Sequence, residues 1–176
     1  VCLPKTAWPP TLFGENPEKD VRYAASFNSK RMNVKTPECK VRLSEIVLML
    51  AEAYYHKGDN DSALRWLNEL RRNRIEDVSD LTMASLPAVR PDDRIVVDCQ
   101  GKAVTPLLQA IFDERRKELY MEGDRWYELK RNGCPEWWVI SNGLKYTTRE
   151  YLYTSPISKS DVDLNPGLEQ NPGYVY

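Results

Sequence analysis

One histidine, His56, stands among 176 residues, and that scarcity excludes more chemistry than any motif does. A histidine-based zinc site or a Ser-His-Asp triad has almost nothing to draw on. His56 itself reads as an exposed helix-end residue. The four cysteines, Cys2, Cys39, Cys99 and Cys134, lie far apart and form no C-x-x-C pair. A zinc cluster or dithiol redox site is therefore disfavoured, while disulfides and free thiols both fit the spacing. No apolar run reaches the roughly 18 residues that a membrane helix needs. Glycine-rich phosphate loops, G-x-S-x-G and H-E-x-x-H are also missing. Lysine and arginine total 25 against 26 acids, a net charge of −1, so the basic surplus of a nucleic-acid binder is lacking. The chain opens without an initiator methionine and without a charged-then-apolar leader, as a trimmed chain would. Neither a cofactor nor a metal is called for.

What the chain does hold is proline, twelve against eight glycines, and an unusual aromatic balance. Ten tyrosines and five tryptophans accompany only three phenylalanines. Tyr and Trp carry a polar handle and favour half-wet positions, so some of these rings belong at a surface.

Five prolines and no sustained period make residues 1–40 an irregular segment. A helical hairpin is expected over residues 41–75. Its first helix shows Leu43, Val47, Leu50, Ala51, Tyr54 and Tyr55 at three- and four-residue steps and stops at Gly58. Asp59-Asn60 caps the second, which carries Ala63, Leu64, Leu67 and Leu70. One such hairpin cannot bury both its faces, so a partner surface must come from elsewhere. Residues 76–104 read as loop or a small hairpin at Ile95–Val97. Thr105 and Pro106 then start a helix that runs to about Glu122, breaks at Gly123, is recapped by Asp124, and ends by Asn132. Residues 133–176 read as aromatic loops and a tail. Two Asn-Pro-Gly turns, expected as type II, stiffen that tail and suit it to wrapping the helices.

Glu114, Glu118 and Glu122 fall at i, i+4 and i+8, the pattern of a metal or acid-base site. Arg115, Arg116, Lys117 and Arg125 interleave with them, and no Glu-x-x-His partner exists. The pattern therefore favours a structural salt-bridge network. Arg42, Glu45 and Glu52 supply its other half, with Arg115 as bidentate anchor for one of those acids. Arg71, Arg72 and Arg74 close the second helix as ordinary C-terminal cations. Trp8, Trp137, Trp138, Tyr146, Tyr151 and Tyr153 allow two readings, core margin or a sugar-stacking surface. In the second, Trp8, Trp137 and Trp138 are the stacking candidates and Asn142 the polar partner.

Three segments in order resemble the C-terminal part of the SusD/RagB family of outer-membrane glycan-binding lipoproteins. Val41-Arg42-Leu43-Ser44-Glu45 through Leu50-Ala51-Glu52-Ala53 to Asn68-Glu69-Leu70-Arg71 is similar to the family's tetratricopeptide-like hairpin. Glu114-Arg115-Arg116-Lys117-Glu118-Leu119, with Glu122-Gly123-Asp124-Arg125-Trp126, resembles its E-R-R-x-E-L-x-F-E-G-x-R-W run. Met121 stands where Phe is usual. Pro156-Ile157, Asn165-Pro166-x-Leu168 and Gln170-Asn171-Pro172-Gly173-Tyr174 resemble its terminal signature. The resemblance implies a mainly α fold with long irregular loops and a wrapping tail, residues 1–176 being the C-terminal portion of one such domain. It also implies non-catalytic glycan capture at the cell surface beside a SusC-like TonB-dependent transporter, with membrane attachment only through a lipid anchor outside this chain. The alternative is a helical-repeat scaffold whose ligands are proteins.

Overall fold

The computed structural model describes residues 12–14, 16–38 and 41–175. Its frame is a pair of helices, α2 (Leu43–His56) and α3 (Asn60–Arg72). Gly58, at φ +81°, turns the chain between them, and the Asp59 carboxylate caps α3 by accepting the Ser62 N–H at 3.0 Å. So short a connection forces the second helix back along the first.

A third long helix, α4 (Pro106–Glu118), supplies the missing partner face. Its alternating sets of apolar residues point two ways. Leu107, Ala110 and Ile111 join Leu48, Ala51, Ala63, Leu67 and Leu70 in one core. Leu108 and Phe112 join Ile95, Val104, Leu129 and Tyr153 in a second. Each fully buried Leu or Ile contributes roughly 1.5–3 kcal/mol, so α4 stabilises both cores at once.

The N-terminal stretch is more ordered than its prolines suggest. Pro17–Lys19 forms a 3-10 turn, and α1 (Val21–Ser26) follows with Asp20 as its cap, the carboxylate accepting the Arg22 N–H. A six-residue helix is too short to leave a periodic trace. Leu43 departs from its expected core role and is 74% exposed; Ser44, Leu48, Ala51 and Glu52 form the buried face instead. α4 ends at Glu118 rather than Glu122, because Met121 adopts φ +63° and the chain swings out before α5 (Asp124–Arg131). Gly123, at φ +79°, caps α5, and Asp124 is its first residue.

The stretch after Pro135, read as loop, is a two-stranded antiparallel sheet. β1 (Trp137–Ser141) pairs with β2 (Leu144–Thr148) through an Asn142-Gly143 turn. Both turn residues have positive φ, 51° and 77°, the type I′ geometry that matches strand twist. A 3-10 turn (Glu150–Tyr153) and α6 (Lys159–Leu164) lead into the tail.

The tail's polar contacts close on residues 154–157. Gln170 brackets Ile157 with bonds at 2.9 Å, Asn171 donates to the Ser155 carbonyl, and the Tyr174 hydroxyl donates to Thr154. The second Asn-Pro-Gly turn has the left-handed glycine of type II, Gly173 at φ +89°. A Cβ there would meet the Tyr151 ring at 2.5 Å, so glycine is required twice over. The first turn closes from Leu168 N–H to Asn165 O without a left-handed glycine, so it is not type II. No described helix is long and apolar enough to cross a membrane.

Candidate functional site

Two constellations stand out, and they differ in character. The first is ionic. Arg42, on the chain entering α2, donates to Glu118 Oε1 at 2.6 Å and to both Glu122 oxygens at 2.9 Å. Glu118 also receives Arg74 at 3.0 Å, while Lys35 reaches Glu122 at 2.6 Å. Arg22 pairs with Asp20 at 2.7 Å and with Glu114 at 2.8 Å. The Glu114 contact lacks hydrogen-bond geometry, which leaves that oxygen without a donor.

Burial raises the Glu118 carboxyl, but hydrogen bonds from Arg74 and Arg42 outweigh it and hold the group down to about 2. Burial likewise opposes ionisation of Glu114, and the charges of Lys117 and Arg22 override it. Charges removed from water need this saturation to be tolerated. Every carboxylate is met by cations, and no described group of His, Cys, Asp and Glu could hold a metal. The cluster ties α1, the start of α2 and the chain just after α3 to the end of α4.

Other expected members of this network lie at separate points. Glu45 touches Arg115 only at 3.4 Å, because Arg115 is bidentate to Asp124. The pairing that sequence spacing assigned to an acid of α2 thus goes mainly to a residue just past α4. Glu52 is held by Arg131 at 2.6 and 3.0 Å, and Arg125 binds Glu128. Of the helix-end cations, Arg72 pairs with Asp80 and Arg74 with Glu118. His56 does end α2, half-buried, with Cys99 Sγ at 3.6 Å and Asp98 at 3.9 Å. Cys99 and Cys134 are free thiols; Cys2 and Cys39 lie outside the described residues.

The second constellation is aromatic. Trp126 stacks on Tyr153, with ring centroids 4.6 Å apart and planes at 25°. The Tyr153 hydroxyl accepts the Trp137 indole N–H at 3.1 Å and donates to the Pro135 carbonyl. Arg94 sits over the Trp137 ring at 4.6 Å. Three rings from α5, β1 and the Glu150–Tyr153 turn thus share one cluster; Tyr153 is buried as its floor, and Trp126, 38% exposed, is its open face. Apolar ring faces beside guanidinium and carboxylate groups are what a sugar ring, apolar on one side and hydroxylated at its edge, can use.

Of the three stacking candidates and their polar partner, Trp137 belongs to this patch. Trp138 projects from the opposite face of the hairpin, since Trp137 pairs with Thr148 and Trp138 with Thr147 in adjacent register. Lys145 covers the Trp138 ring at 5.1 Å. Asn142 is occupied in shaping the turn at the far end. Trp8 lies outside the described residues. Trp126 and Tyr153 are the patch members that sequence spacing did not pair. They are 27 positions apart, and nothing local joins them.

A helical pair closed by a third helix and stapled by buried ion pairs, with aromatic rings gathered beside its second core, defines a mainly α-helical module. Known proteins resolve which one. The model of the SusD family matches residues 13–174, and the chain belongs to that family. The starch-binding protein SusD of Bacteroides thetaiotaomicron is 29% identical over 139 residues, covering 76% of this chain and 21% of SusD. The crystal structure of a SusD-like protein from Bacteroides fragilis superimposes with a TM-score of 0.51 at 24% identity. That match covers 76% of this chain and 25% of the other. The chain therefore spans about a quarter or less of the length of these relatives.

Proposed function

We propose that this chain is the C-terminal portion of a surface protein that binds glycans without transforming them and passes them to a SusC-like TonB-dependent transporter. The observation that carries the reading is the Trp126–Tyr153–Trp137 patch in a chain of the SusD family. A relative of the same family is named for binding starch. Residues of the α4 carboxylate stripe are saturated by cations, which favours a scaffold role over acid-base catalysis. The proposed location is the outer-membrane surface, with a lipid anchor lying outside these residues.

Affinity electrophoresis of the chain through gels containing neutral and acidic polysaccharides tests the proposal. Retardation should fall when Trp126 or Trp137 is replaced by Ala and stay unchanged for Trp138→Ala, which alters the opposite hairpin face. Unretarded migration through every polymer would reject glycan binding by this portion.

A second reading rests on a different surface. Leu43, Ile46 and Met49 form an exposed apolar stripe along α2, 74%, 45% and 49% accessible. Such a stripe favours packing against further protein, as in a helical interaction scaffold. A blank glycan screen with a co-purifying protein partner would move the balance to it.

A further inference from the structure

The aromatic patch borders an arginine cluster that the fold does not neutralise. Arg90 spends its guanidinium on Asp113 and Asp93, at 2.6–2.7 Å. Arg125 is committed to Glu128, with a loose contact of 3.8 Å to Asp93. Arg94 and Arg116 have no carboxylate within ion-pair distance among the described residues. Arg94 instead lies over Trp137, and Arg116 stands one turn after Asp113 on α4, which Arg90 ties to Asp93, the neighbour of Arg94 in the chain. Burial, and then the neighbouring charge of Arg125, pull both arginines below their ordinary values. Both remain charged at neutral pH.

The contrast with the clamp on the other side of α4 is informative. There each glutamate is met by two or more cations. Here Arg90 and Arg125 take up Asp93, Asp113 and Glu128, the last of these itself pushed up by burial, and Arg94 and Arg116 are left over. The local excess is positive in a chain whose net charge is −1. Two forked donors beside a stacking surface match an anionic group carried on a ring.

We propose that Arg94 and Arg116 form an anion subsite beside the Trp126–Tyr153–Trp137 patch, and that the glycan taken there is acidic, bearing carboxylate or sulfate groups. This inference rests on the glycan-binding reading above and names the class of glycan. The ring face of a sugar stacks on the patch while its acid group receives the guanidinium N–H donors. An acidic ligand also relieves the repulsion among Arg94, Arg116 and Arg125, which a neutral sugar leaves in place.

The test is affinity electrophoresis of the whole chain in amylopectin, dextran, dextran sulfate and polygalacturonate. Dextran and dextran sulfate share a backbone, so their difference isolates the charge, and polygalacturonate separates carboxylate from sulfate. Retardation is expected in one or both acidic polymers and not in the neutral pair, weakening as salt is raised. Arg94→Gln should weaken it about tenfold, the scale of one lost charge-assisted contact, and adding Arg116→Gln should abolish it. Arg72→Gln, on the exposed end of α3, should leave it intact and so rule out general attraction to polyanions. Retardation by neutral polymers alone would overturn the acidic assignment and leave the glycan reading standing. No retardation in any polymer would overturn both. Equal retardation of wild type and Arg94→Gln would overturn the subsite.

Discussion

The guanidinium of Arg42 bonds both the side chain and the main-chain carbonyl of Glu118, the last residue of α4. It therefore caps that helix and neutralises a buried carboxylate in one contact, while its remaining N–H groups hold Glu122 beyond the helix end. Arg42→Met should cost about 3 kcal/mol, as for a buried pair broken from one side. Arg42→Lys should recover little, since an ammonium cannot reach three acceptors in a plane. Urea unfolding of the two variants checks this, and near-wild-type stability for Lys would contradict the geometry.

Acid should undo the same clamp. Glu118 is held at about 2, below its ordinary 4.5, so its contribution is fully present above pH 4.5 and is lost as pH falls toward 2. The shift corresponds to on the order of 3 kcal/mol. Glu114 and Glu122 are displaced in the same direction and steepen the loss. Urea melts between pH 7 and pH 2.5 should show Glu118→Gln less stable at neutral pH but flatter across the acid range. Parallel curves would remove Glu118 from the account.

Core and surface separate cleanly along α2. Leu48 is fully buried between α3 and α4, and its replacement by Ala should cost about 2–5 kcal/mol. Leu43 lies one turn and a half away in sequence and is largely exposed, so Leu43→Ala should stay within about 0.5 kcal/mol. Comparable losses at both sites would mean that the α2 stripe is covered in solution.

That pair also shows what the sequence reveals and where it falls short. Periodicity located α2, α3 and α4 because each has enough turns to repeat an apolar step. It misassigned Leu43 because the first turn of a helix is sampled only once by any pattern. Asn142 was read as a polar ligand partner rather than as a hairpin turn with Gly143, since Trp137, Trp138, Val139 and Ile140 are apolar without the alternation that marks a strand. Arg22 could not have been placed at all. Its partners Glu114 and Glu118 are more than ninety positions away, and a short helix following an acidic cap gives no hint of them. The aromatic patch was half visible for the same reason. Trp137 drew attention as a surface candidate, but only the fold brings Trp126 onto Tyr153.

Glu128 offers the opposite case to Glu118. It is buried on α5, and burial raises its carboxyl even though Arg125 donates to one oxygen at 2.5 Å. The other oxygen has no donor, and neither does the buried Asn132 carbonyl oxygen one turn further along. Two acceptors on one helix face, with no hydrogen between them, favour a proton on the carboxyl. A carboxyl raised in the folded state supports stability below its unfolded value near 4.5 and loses that support as pH rises through the folded value. Glu128→Gln supplies a permanent N–H donor and keeps an oxygen for Arg125. The variant should match the wild type near pH 4, below the ordinary 4.5, where the raised carboxyl carries its own proton. It should become more stable than the wild type, by about 1 kcal/mol, as pH rises to 8. Thermal melts at the two pH values decide the matter. A Gln variant that loses ground at pH 8 relative to pH 4 would show that the charged carboxylate is the form the fold prefers.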